Sequence, residues 1–97
     1  MRRQRKLVEF DWDIGNIEKN KKHNVEDSEA EEAFFDSKKV ITKDPPHSLK
    51  EERFILLGKT KKERLLYIVF TTRKNKIRII SARDINKKEV SLYEKTA

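Results

Sequence analysis

Ninety-seven residues, 35% of them hydrophobic and 42% charged, suffice for one small domain with a single two-layer core and are too few for two. The chain has no cysteine, which excludes a disulfide framework, a thiolate zinc site and a cysteine nucleophile, and no apolar run reaches the ~18–20 residues of a membrane span. The net charge of +7 is uneven: residues 1–48 carry ten basic and eleven acidic side chains, residues 49–97 fourteen basic and six acidic, so a polyanion is the natural ligand of the second half, while lysines that merely keep a small protein soluble are the plainer account.

The opening residues Met1 to Lys6 are basic, but no apolar segment with a small-residue cleavage site follows. They read as a tail before a single domain over 7–97, not as a secretory signal, and the protein is read as cytoplasmic. Residues 7–12 alternate weakly, as a short strand or extended lead-in. Asp13 suits the N-cap of a helix running to His23, with Ile14 and Ile17 facing the core and Asn24 ending it in a left-handed conformation. Residues 26–36 predict a second helix with Ala30, Ala33 and Phe34 as its apolar stripe; its segment 24–36 holds six acids and no Lys or Arg. Four strands follow, over 38–42, 53–59, 64–72 and 76–83, with a loop at Asp44-Pro45-Pro46-His47-Ser48 and a hairpin turn at Lys74-Asn75. Linked this closely, they pair as an antiparallel meander, with the doubly apolar third strand inside. Asn86 and Glu89 form a capping box for a last helix whose inward face is Leu92 and Tyr93. The fold class is α+β: N-terminal helices and a C-terminal helix packed on a small antiparallel sheet.

Several motifs do not hold up. Gly58-Lys59-Thr60 ends like a phosphate-binding loop, but Arg53 stands where the first glycine belongs. His23 and His47 lack any metal-ligand spacing, so no metal is expected, and nothing in the pattern requires a cofactor. The stronger constellation is arginine. Arg73 closes the third strand, and Arg78, Ser81 and Arg83 lie on the fourth, where strict alternation puts Ile77, Ile79, Ser81 and Arg83 on one face and Arg78, Ile80 and Ala82 on the other. Guanidinium grips phosphate in two-pronged fashion. The plainer account pairs these arginines with Glu52, Glu89 or Glu94.

The order and spacing of short pieces resemble the BrnT family of ribonuclease toxins from type II toxin–antitoxin pairs. They are Phe10-Asp11-Trp12-Asp13, Asn16, Lys19-Asn20, Lys22-His23-Asn24-Val25, Glu29-Ala30, Phe34, Asp44, His47, Arg53, Gly58, then Ile79-Ile80-Ser81-Ala82-Arg83 with Glu89 and Tyr93. The resemblance spans about 8–95. It departs at Asn24, where the family has glycine, and at Glu26-Asp27, where it has Ser and an aromatic residue. It implies a RelE-like fold, RNA cleavage with growth arrest, and neutralisation by a BrnA-like ribbon-helix-helix antitoxin. Because that antitoxin dimerises, the complex should contain two toxins and reach operator DNA only through the antitoxin, without a membrane.

The expected chemistry is metal-independent attack of a ribose 2′-hydroxyl on the adjacent phosphate. His23, Arg53, Arg78, Ser81 and Arg83 are the candidate catalytic residues, and Lys22, His47, Arg73, Lys76 and Tyr93 the candidate RNA contacts. Arg53, Arg73, Arg78 and Arg83 form the clamp, and His23 transfers protons. His23 serves equally as a cation on a helix C-terminus, His47 as an exposed loop residue, Ser81 as strand filler and Tyr93 as core. The competing function is a noncatalytic basic module that binds RNA, DNA or the ribosome. A pure protein-interaction domain, with 24–36 as its working face, is the third.

Overall fold

Helices begin in this chain where a side chain can satisfy the first free N–H groups. The computed structural model describes residues 8–44 and 51–96; the expected tail at 1–6, the proline pair and His47 lie outside them. Helix α1 (Ile14–Lys22) starts at Asp13, whose Oδ1 accepts from the N–H groups of Gly15 (2.9 Å) and Asn16 (3.4 Å), while Asn16 Oδ1 accepts from the Asp13 N–H at 2.7 Å. It ends at Asn24, with φ of 56°. Helix α2 (Asp27–Phe34) and helix α3 (Lys87–Thr96) follow a Glu26/Glu29 and an Asn86/Glu89 box respectively.

Strands β1 (Val40–Lys43), β2 (Phe54–Lys59), β3 (Leu65–Arg73) and β4 (Lys76–Asp84) form one antiparallel sheet in the order β1-β2-β3-β4. The β3–β4 turn places both Lys74 (φ 48°) and Asn75 (φ 67°) in the left-handed region, which suits the right-handed twist of the flanking strands. Residues 9–11 lie along the outer edge of β4, where the Asp11 N–H donates to Ile77 O and the Ile77 N–H to Glu9 O, both at 2.8 Å.

One face of the sheet carries the main core. Leu56, Leu66, Ile68, Phe70, Ile79 and Ala82 pack with Val25, Ala30, Ala33 and Phe34. Phe34 meets Phe70 edge-on with ring centres 4.9 Å apart, and Phe10 meets Phe34 at 5.4 Å. The opposite face is partly covered by α3, where Tyr93 is buried and Leu92 lies over a groove of Val40, Thr42, Ile55, Leu57 and Tyr67.

Three expectations need correction. Ile14 does not face the core; it is 73% exposed, and α1 buries Asn16 and Asn20 instead. The Asn16 side chain bonds both the Asp13 N–H and Asp11 O (2.8 Å). That fixes the helix rotation, and Ile14, two residues or roughly 200° away, turns outward. Leu92 is 57% exposed rather than inward, because Tyr93 occupies the seat under α3. The alternation assumed for β4 also fails. Val69 pairs with Ser81 and Phe70 with Ile79, so Ile80 is an extra residue with no opposite number. The bulge moves Ser81 and Arg83 onto the outward face with Arg78, and Ala82 onto the core face with Ile77 and Ile79.

Arg64, just before β3, joins the end of the sheet to both N-terminal helices. Its guanidinium donates to Asp84 (2.7 and 3.2 Å), Glu29 (3.0 Å), Asn24 O (2.9 Å) and His23 O (3.4 Å). Donation to Asp84, and less to Glu29, raises its pKa against the opposing effect of burial.

Candidate functional site

A cavity of about 200 Å³ opens between the first turns of α1, the residues leading into β2, and the outward side of the β3–β4 hairpin. It is lined by Gly15, Asn16, Lys19, Glu51, Arg53, Arg73, Arg78 and Ile80. Each basic side chain arrives from a different element. Lys19 is one turn beyond Asn16 on α1. Arg53 precedes β2, on the side opposite the core residue Phe54, with its carbonyl accepting from the Asp44 N–H at 2.8 Å. Arg73 and Arg78 face outward from β3 and β4 because Phe70 and Ile79 face inward.

Carboxylates orient the arginines. Arg73 Nε and Nη2 donate to Glu51 Oε2 and Oε1 at 3.1 and 2.9 Å, a two-pronged pair. Arg78 Nη2 donates to Asp13 Oδ1 and Nη1 lies against Asp13 Oδ2, both at 3.0 Å, with Asp11 Oδ1 at 3.6 Å. The helix-capping carboxylate thus also positions Arg78. The Arg78 hydrogen bond holds the Asp13 carboxyl below its usual range, and the Arg73 hydrogen bond does the same for Glu51. Four cations line the cavity against one carboxylate, and the balance stays positive when Asp11 and Asp13 are counted. The cavity suits an oxyanion with several acceptor oxygens.

The cavity brings together Arg53, Arg73 and Arg78 of the expected clamp. Arg83 shares their sheet face but stands at the other end of β4. There it donates to both Glu89 oxygens (3.0 and 2.8 Å) and to Asp84 O (2.9 Å), with its guanidinium carbon 3.9 Å from the centre of the Tyr67 ring. The Glu89 pairing is the one the plainer account named; Glu52 pairs with Lys43 instead. Ser81 is half-buried between the two arginines, opposite Val69. Lys76 is exposed at the start of β4, paired with Arg73 across the hairpin.

His23 and Lys22 lie elsewhere. Asp13, beside Arg78, is the N-cap of α1 and His23 its C-cap. Nine helical residues separate the two caps, which puts the caps about 15 Å apart at 1.5 Å per residue, beyond the hydrogen-bond reach proton transfer requires. Tyr93 is only 5% exposed, with no ring face open to a base. Sequence reasoning gave no role to Lys19 or Glu51. The two-residue spacing of Glu51 and Arg53 in an extended segment was the available signal for Glu51; nothing in the sequence joined Lys19 to residues more than thirty positions away.

Among the described residues no group of three His, Cys, Asp or Glu side chains could hold a metal ion, and no helix is long and apolar enough to cross a membrane. A family model described as the ribonuclease toxin, BrnT, of type II toxin–antitoxin system matches residues 12–89, a span that contains every residue lining the cavity. A search of curated proteins finds no match.

Proposed function

The chain belongs to the BrnT family of type II toxin–antitoxin ribonuclease toxins, and on that premise we propose that it is a metal-independent endoribonuclease that seats an RNA phosphate among Lys19, Arg53, Arg73 and Arg78. The observation that carries this reading is the convergence of those four cations on one cavity. Aligned donors at the non-bridging oxygens stabilise the charge that develops as the ribose 2′-hydroxyl attacks phosphorus, and so dense a cluster of cations repels a divalent ion. Ser81, Arg83 and Lys76 lie on or beside the outward face of β4 and extend the RNA path from the cavity. The tail at 1–6 adds sequence-independent attraction to phosphate. His23 and Lys22 contact RNA only where a strand runs the length of α1, and His47, four positions before Glu51 in the sequence, is a further RNA contact.

A ribonuclease toxin of a type II toxin–antitoxin system has an antitoxin partner and an RNA target. We take the partner to be a BrnA-like ribbon-helix-helix protein whose acidic residues cover this basic face. Its dimer holds two toxins and carries the complex to operator DNA. The protein acts in the cytoplasm.

Labelled single-stranded RNA incubated in EDTA with the wild type and with Arg78→Ala tests the reading. The wild type is expected to cut and the variant to lose activity by two orders of magnitude or more, the scale of removing one preorganised donor at a developing oxyanion, with a circular dichroism spectrum that shows it folded. Binding without cleavage by the wild type, in the absence of growth arrest on expression, would move the assignment to the noncatalytic basic module.

A further inference from the structure

We propose that Glu51 is the base that takes the proton from the attacking ribose 2′-hydroxyl. This rests on the cavity being the seat of RNA cleavage. Transesterification at phosphate needs a proton acceptor near the 2′-oxygen. Among the described residues that line the cavity, only Glu51 can accept a proton at neutral pH: the other polar groups are three guanidiniums, an ammonium and the Asn16 amide. His23 stands at the far end of α1.

The geometry leaves Glu51 competent. A carboxylate offers about four lone-pair sites, and Arg73 uses one on each oxygen. Among the described residues no other donor takes the remaining two, and the side chain is 30% exposed. In the step, the 2′-hydroxyl proton passes to a Glu51 oxygen as the 2′-oxygen bonds to phosphorus. The bond from phosphorus to the 5′-oxygen breaks, and that oxygen takes a proton from the Lys19 ammonium, which lines the same cavity. The products are a 2′,3′-cyclic phosphate and a 5′-hydroxyl, and proton exchange with water restores both side chains.

The groups facing Glu51 are Arg73 on β3, Arg53 before β2, Arg78 on β4 and Lys19 on α1. Arg73, then Arg53 and Arg78, hold its carboxyl below the ordinary value of 4.5. Cleavage should therefore persist as pH falls through 4.5 and fail only below it.

The test compares the wild type with Glu51→Gln and Glu51→Asp. Cleavage is read on a fluorescein-labelled single-stranded RNA, and binding on the same RNA carrying 2′-O-methyl groups, which cannot react. Glu51→Gln should cut at least a hundredfold more slowly yet bind the methylated RNA as tightly or more tightly, because a negative charge has left a basic cavity. Glu51→Asp should recover part of the rate. Were Glu51 only a brace for Arg73, binding and cleavage would fall together in Glu51→Gln; that result overturns the proposal, as does a Glu51→Gln rate within a few-fold of wild type. A wild type that binds RNA without cutting it would instead bring down the ribonuclease reading itself, and this assignment with it.

Discussion

Tyr93 shows how much one side chain can hold in a protein of this size. Its ring lies under α3, its hydroxyl donates to Asp36 Oδ2 at 2.6 Å, and Lys59 Nζ sits 5.9 Å from the ring centre. Asp36 Oδ2 also accepts from the Lys59 N–H at 2.9 Å, and Oδ1 from the Lys38 N–H at 2.9 Å, so one carboxylate ties α3, β2 and the approach to β1. Removing the hydroxyl in Tyr93→Phe should cost about 2 kcal/mol, the scale of a hydrogen bond to a charged partner, measurable by urea denaturation. Burial, and then the Asp36 bond, push the Tyr93 phenol up from 10.0 to about 12. Its folded value lies above its unfolded one, so this stabilisation is complete below pH 10 and disappears as pH rises through 12. The wild type should lose thermal stability across that window more steeply than Tyr93→Phe. Tyr93 was legible in the sequence as a core residue on the last helix; its bond to Asp36, fifty-seven positions away, was not, because no local pattern encodes it.

Among the elements, β2 and β4 carry the irregularities on which the sheet depends. A Cβ built on Gly58 would stand 2.5 Å from Ala33 O and 2.9 Å from Leu56 Cδ2. Glycine there lets α2 lie directly against β2. Gly58→Ala must push the helix outward or unpick the strand, a cost on the order of 1–3 kcal/mol; thermal melting should show the loss, with Gly15→Ala, whose nearest contact would be the Asp13 side chain at 3.2 Å, as the milder comparison. The elements themselves were readable because their punctuation is chemical: Asp13 and Asn24 bound one helix, the Asn86/Glu89 box starts another, and Lys74-Asn75 turns the hairpin. The face of each β4 residue was not readable. Alternation is a count of two, and the extra residue at Ile80 resets the count with nothing in Ile79-Ile80-Ser81 to announce it. The rotation of α1 escaped for a similar reason: Asn16 takes the buried position through its bonds to Asp11 and Asp13, against the preference of Ile14 for the core.

For the molecule as a whole, charge distribution governs how RNA is met. The cations at the cavity imply that the logarithm of RNA affinity falls linearly with the logarithm of salt, by about 0.7 for each single-strand phosphate neutralised. Fluorescence anisotropy across a salt series should show this, and Arg78→Ala should flatten the slope. A polyanion ligand was legible from the excess of Lys and Arg after residue 48. The cavity was not, since it is assembled from residues 15–19, 51–53 and 73–80, and the Arg78–Asp13 contact spans sixty-five positions. The same long reach has a consequence during synthesis. Residues 9–11 are made well before their partner strand β4. A nascent chain therefore carries an unclosed sheet edge, and Arg53 waits without Arg78 beside it, until β4 has left the ribosome. The proposed seat for RNA phosphate cannot exist in any shorter stretch of the growing chain, so its appearance is tied to closure of the sheet.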